Sequence, residues 1–162
     1  RELCSAVSRE CSKYGYEPVM LTDQLCCQAK EAGSFLASIA KTHCKSGKKL
    51  AYIAGGETVV NITGHGKGGR NQEIALSAAE GIKGMSNAAV FSIGSDGTDG
   101  PTDAAGGYSD GDTAGVLKNK GIDIFEVLKN NDAYNALKLT EGLIITGPTG
   151  TNVNDVSVLL IG

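Results

Sequence analysis

Leu50-Ala51-Tyr52-Ile53-Ala54-Gly55-Gly56, then the helical stretch from Asn71 to Ile82, then Asn87-Ala88-Ala89-Val90-Phe91-Ser92-Ile93 decide the fold class. Short apolar runs bounded by turn residues predict buried strands, and the stretch between them carries a helical period. The same alternation extends outward in both directions. Residues 1–14 carry Leu3, Cys4, Val7 and Cys11 at helical spacing, with Gly15 as a stop. Glu17 to Thr22 predicts a short strand kept at a start or edge by Pro18. Asp23 caps a predicted helix to about Ser46, with Leu36, Ile39, Ala40 and His43 on one face.

Beyond Ile93, Thr113 to Lys120 and Ile124 to Lys129 predict short helices, and Ala133 to Leu137 a further turn. Leu143 to Thr146 and Val156 to Ile161 close the chain as strands. Thr58 to Thr63 alternates as a strand and is expected to pair antiparallel with 50–54 through Gly55-Gly56-Glu57. Helices alternating with apolar strands predict an α/β fold: a mostly parallel sheet with flanking helices and some antiparallel pairing. No repeat or low-complexity linker divides the 162 residues, so one domain is expected, with 1–54 leading into a core at 55–162.

Composition narrows the function. A net charge of −3 offers no electrostatic footprint for nucleic acid, and no apolar run reaches the roughly 20 residues of a membrane span. Five cysteines with no Cys-x-x-Cys pair and no secretory segment fit free thiols in a reducing cytoplasm. Only His43 and His65 are available to complete a Cys-His arrangement, so zinc is not expected. The chain opens on Arg1 inside a helical pattern, which predicts an excised piece of something longer.

Glycine is the unusual residue, 23 in all, and 16 of them fall in three windows: 55–69, 94–115 and 142–150. Each window abuts an apolar segment, which predicts loops at strand ends. In an open α/β sheet ligands gather beyond the carboxyl ends of strands, so the three windows are expected to form one site.

The first window ends Gly64-His65-Gly66-Lys67-Gly68-Gly69-Arg70-Asn71-Gln72-Glu73. Its glycine amides, a following helix N-terminus, Lys67 and Arg70 predict an anion cradle; a turn with solvated charges is the other reading. Gly64, Gly66 and Gly69 match G-x-G-x-x-G, but no acidic residue stands about 20 residues on, and no Gly-Lys-Ser/Thr is present.

The second window, Gly94 to Gly107, begins a stretch in which five of the nine aspartates lie between Asp96 and Asp112, with no Lys or Arg from Gly84 to Leu117. Clustered carboxylates suit Mg2+ or Ca2+, and Asp96, Asp99 and Asp103 are the candidate ligands. Aspartates bonding their own backbone in turns are the alternative. An EF-hand loop counted from Asp96 has Gly107 where its glutamate belongs. The third window, Thr146-Gly147-Pro148-Thr149-Gly150-Thr151-Asn152-Val153-Asn154-Asp155, is rich in hydroxyl and amide groups suited to a small polyhydroxy or carboxylate ligand. It reads equally as a self-bonded loop. A basic cradle, an acidic loop and a polar loop together are what phosphoryl transfer uses.

These motifs, with Gly55-Gly56-Glu57-Thr58 and Asn131-Asp132-Ala133-Tyr134, resemble the carboxy-terminal MOFRL-type domain of glycerate 2-kinases, a family often labelled hydroxypyruvate reductases. The resemblance is specific over about 55–162. It implies an ATP- and Mg2+-dependent kinase converting D-glycerate to 2-phosphoglycerate. It also implies an amino-terminal Rossmann-like domain, absent from this chain, that completes the site, so the chain alone is expected to be inactive. Arg70 is then the catalytic cation. Gly56, Glu57, Lys67, Gly68, Gly69, Asn71, Glu73, Thr149, Asn152 and Asn154 are the expected substrate- and phosphate-binding residues, and no general base is assigned. The rival readings are an NAD(P)H-dependent hydroxypyruvate reductase and a non-catalytic module binding a small acid or phosphate.

Overall fold

The computed structural model describes residues 2–162. In chain order the elements are α1 (Glu2–Lys13), β1 (Glu17–Leu25), α2 (Ala29–His43), β2 (Leu50–Gly56), α3 (Arg70–Gly81), β3 (Ala88–Gly94), β4 (Gly106–Asp110), α4 (Thr113–Asn119), α5 (Ile124–Lys129), α6 (Ala133–Leu139), β5 (Leu143–Ile144) and β6 (Asp155–Ile161). The six strands form one sheet in the order β1-β2-β6-β3-β4-β5.

The α/β class and the flanking helices hold, but the mostly parallel sheet does not. Only β1 and β2 pair parallel; β2–β6, β3–β6, β3–β4 and β4–β5 are antiparallel. The helical crossover α2 does make β1 and β2 parallel, as such a connection must. The last strand then enters the slot between β2 and β3 and runs against both, while β4 folds straight back on β3. Apolar runs report burial and not direction, so the sequence carries no sign of this insertion.

Period-2 alternation sorts the sheet's two faces. Ile53, Val156 and Val158 pack with Cys4 beneath α1. Tyr52, Val90, Leu159 and Ile161 pack with Leu36, Ala40, Ile74 and Ala78 of α2 and α3. The far side of α3 (Leu76, Ala79) meets Leu117 of α4, Ile124 of α5 and Leu137 of α6. Helix α3 is therefore enclosed on nearly every side, with Asn71 to Ala79 all buried.

Two other expectations change. Residues 58–63 form no strand; the segment makes a single parallel bridge, Gln28 to Val59. Asp23 does not begin α2, because β1 continues to Leu25 against β2 and α2 starts only at Ala29. No helix among the described residues is long and apolar enough to cross a membrane.

Candidate functional site

Strand register brings the glycine windows to one edge. Gly56 at the end of β2 and Gly94 at the end of β3 both pair with Asp155 at the start of β6. Helix α3 opens beside this row with Arg70. The third window is fastened to the second: Thr149 N donates to Asp96 O at 3.1 Å, Thr151 Oγ1 to Ser95 O at 3.1 Å, and Val153 N to Ser95 Oγ at 2.8 Å.

Arg70 stands at the centre. Its Nε donates to Asp155 Oδ2 and its Nη2 to Asp155 Oδ1 at 3.2 Å, a two-nitrogen grip. Nη1 lies 3.0 Å from Glu57 Oε1. Asp155 is buried while the guanidinium is about one-third exposed, so the pair fixes the arginine from beneath and leaves part of it facing outward. The hydrogen bond to Asp155 raises the guanidinium pKa above its ordinary value against the opposing effect of burial.

Asp99 meets the same helix turn from the inside. It is 3% exposed. Its Oδ1 accepts from Asn71 N at 3.1 Å and from Asn71 Nδ2 at 3.2 Å, and its Oδ2 from Gln72 N at 2.9 Å. The Asn71 and Gln72 backbone amides are ones a helix leaves unpaired at its start, so Asp99 caps α3 from another loop. The carboxyl can come this close only because residue 69 is glycine: a Cβ there would lie 2.4 Å from Asp99 Cγ. Burial pushes the Asp99 carboxyl pKa up, opposed by the amide hydrogen bonds.

The aspartates expected to share Mg2+ are not brought together. Asp99 is committed to the cap. Asp103 is exposed and accepts from Tyr134 Oη at 2.7 Å, which lowers its pKa and raises that of Tyr134. Asp96, half-buried, accepts from Thr98 N at 2.9 Å. Among the described residues no group of three or more His, Cys, Asp or Glu side chains is placed to hold a metal ion. The donor set therefore does not fit a self-contained cation cage.

Part of the expected anion cradle, from Thr63 to Lys67, is spent internally. Thr63 N and Gly64 N donate to Asn131 Oδ1 at 2.7 and 2.9 Å. His65 N donates to Asn130 Oδ1, Gly66 N to Asn130 O and Lys67 N to Asp132 Oδ1, at 3.1, 2.8 and 2.9 Å. Asn131 Nδ2 completes the clasp by donating to Asn61 O at 3.1 Å and Glu73 Oε1 at 2.9 Å. Lys67 Nζ lies 4.0 Å from the centre of the Tyr134 ring. The loop is thus a rigid wall whose amides from 63 to 67 are already satisfied.

That wall bounds a cleft of about 680 Å³. Of the expected binding residues, Glu57, Gly68, Gly69, Arg70 and Glu73 line it. Gly56, Lys67, Asn71, Thr149, Asn152 and Asn154 do not. Asn71 faces the interior instead, where its Oδ1 accepts from Ser92 Oγ, which in turn bonds Ser157 Oγ. Thr149 Oγ1 is occupied by Ser95 O. Sequence reasoning missed Asp155 as the holder of Arg70 and the triplet Asn130-Asn131-Asp132 as the clasp. Their signal was faint: three polar residues after a short helix, with partners 58 to 70 positions away. The positive φ of Asn131, 54°, marks the strained turn that aims its amide inward.

Known proteins resemble this chain in sequence and in fold. D-glycerate 2-kinase from Thermotoga maritima is 50% identical over 165 residues, covering 99% of this chain and 40% of the relative. A relative from Agrobacterium vitis, provisionally named a hydroxypyruvate reductase, is 39% identical over 154 residues, covering 91% of this chain and 40% of its own length. In structure, glycerate kinase from Thermotoga maritima matches with a TM-score of 0.94 at 51% identity, over 98% of this chain and 39% of that one. The chain spans about two fifths of the length of the curated relatives it matches. The sequence profile of the MOFRL family matches residues 50–155, which takes in the Arg70 cleft, the Asp99 cap and the Asn131 clasp, and the chain belongs to that family.

Proposed function

We propose that this chain is the carboxy-terminal part of a cytoplasmic, ATP- and Mg2+-dependent glycerate kinase that phosphorylates D-glycerate to 2-phosphoglycerate. The observation that carries the reading is Arg70, a cation anchored on buried Asp155 and partly open beside a cleft. Phosphoryl transfer spreads negative charge over the transferred group, and a fixed guanidinium stabilises that charge without reorganising. Glu57, Gly68 and Gly69 form the adjoining wall for the acid and the phosphate. Lys67, Thr149, Asn152 and Asn154 lie on neighbouring loops that a bound ligand and the preceding Rossmann-like domain would meet.

Mg2+ in this reading arrives with the nucleotide, since it is commonly held by one or two carboxylates and by substrate phosphates. Asp96 and Asp103 are the carboxylates left for it; Asp99 is not. The lengths of the relatives support a site completed by sequence outside this chain, which alone is then inactive.

The reductase name of one relative supplies the second reading. Against it stands the state of the G-x-G-x-x-G match: the Gly64 and Gly66 amides that would face a pyrophosphate are bonded to Asn131 and Asn130. The test is ADP formation by the full-length protein from ATP, D-glycerate and Mg2+, with the isolated 162-residue chain in parallel. Turnover by the full-length protein alone is expected. NAD(P)H oxidation by hydroxypyruvate without ADP formation overturns the reading in favour of the reductase. Calorimetric binding of glycerate or phosphate to the isolated chain, with no turnover by either form, favours a binding module.

A further inference from the structure

Glu73 follows Arg70 by one helical turn, so the two side chains share a face of α3, with about 5–6 Å between their Cβ atoms. Glu73 is 4% exposed yet lines the cleft. Its Oε1 accepts from Asn131 Nδ2 at 2.9 Å, while among the described residues no hydrogen bond engages Oε2. Asn131 cannot turn away, because its other bonds hold Asn61, Thr63 and Gly64. On the same cleft wall the hydroxyl of Thr58, a residue also 4% exposed, has no partner at all. A hydroxyl buried without a partner is costly unless a ligand or water completes it, and beside it the second carboxylate oxygen of Glu73 is uncommitted at the cleft wall.

Resting on the kinase reading above, we propose that Glu73 is the general base of the transfer and that Thr58 hydrogen-bonds the acceptor acid beside it. The acceptor's O–H bond breaks and its proton passes to Glu73 Oε2. The freed electron pair forms the new O–P bond, and the bond from the γ-phosphorus to the bridging oxygen breaks with its pair on ADP. Asn131 holds the carboxylate in one orientation, as a base must be held. The charges around Glu73 are Arg70 one turn earlier, Lys30 of α2, whose field favours the ionised form, and Asp99, whose field opposes it. Burial raises the carboxyl's proton affinity, the direction a base working near neutral pH needs.

The test compares Glu73→Gln, Glu73→Asp and wild type in the full-length protein, by ADP formation across pH and by thermal unfolding. Glutamine keeps the Oε1 acceptor for Asn131, so the clasp survives while proton uptake is lost. Expected are a kcat fall of about 10²–10⁴-fold in Glu73→Gln with KM for D-glycerate within about 3-fold, and loss of the acid limb of the kcat profile. Glu73→Asp retains that limb with an intermediate rate. A Glu73→Gln enzyme within about 3-fold of wild type in kcat, or one that keeps the wild-type acid limb, overturns the proposal while leaving the kinase reading intact. Wild type with no glycerate-dependent ADP formation removes the kinase reading itself, and the base with it.

Discussion

Arg70 begins the first turn of α3 and Asp99 caps that turn from another loop, and their surroundings assign them opposite work. Arg70 is clamped by Asp155 and Glu57 at the rim of a cleft. Asp99 is sunk behind Gly69 and satisfies helix amides. In sequence both belong to glycine-rich, charged loops and look equally available for ligands. The difference lies in what each charge faces: open cleft for the first, unpaired backbone donors for the second. Charge density in a loop identifies residues that need partners, and only geometry says whether the partner is a ligand or the fold.

The largest expected effect separates the two. Arg70→Ala in the full-length protein should lower kcat by about 10²–10³-fold, measured as initial rates of ADP formation. Its cost in stability, read by urea unfolding, should be modest, roughly 1–3 kcal/mol, because Asp155 loses a partner that was itself partly solvated. Loss of stability with kcat intact would make Arg70 structural and break the comparison.

Asp99→Ala should do the reverse, costing roughly 1–3 kcal/mol of unfolding free energy through the lost cap and the stranded Asn71 and Gln72 amides. Asp99→Asn should cost less, since an asparagine side-chain oxygen also caps helices. Equal losses in the two variants would show that charge, and not capping geometry, is what Asp99 supplies.

The smallest effect is in pH dependence. Burial raises the folded-state pKa of Asp99 and of Glu73. The folded state then binds more protons than the unfolded chain between the ordinary carboxylate value and the raised one, so these groups make stability fall as pH rises through that interval and level off above it. Asp99→Asn should flatten that part of a stability-versus-pH curve, followed by urea titration at each pH. An unchanged slope would mean that the amide bonds fully offset the burial of the carboxylate.

Much of the frame was legible because burial and helical period are local signals. Helix α3, strand β3 and strand β6 lie within a residue of where their patterns place them. Strand β4 was not legible, since Gly106-Gly107 reads as loop. Gly106 sits in the sheet because a Cβ there would lie 1.9 Å from Ser92 O, so only glycine lets β4 pair closely with β3. The direction of β6 and the failure of 58–63 to form a strand were hidden for a related reason. Thr63 N and Asn61 O bond the Asn131 side chain instead of a neighbouring strand. In the site, the meeting of the three windows was legible because strand ends share an edge. The clasp, the cap and the Arg70–Asp155 pair were not, because each joins residues 27 to 85 positions apart and no local pattern encodes such a partner.

The most direct test of the division between Arg70 and Asp99 is the turnover number of Asp99→Asn in the full-length protein at saturating ATP, D-glycerate and Mg2+. Expected are a kcat within about 3-fold of wild type and an unchanged Mg2+ dependence. A fall comparable to that of Arg70→Ala, or a shifted Mg2+ requirement, would place Asp99 in the chemistry and contradict that division.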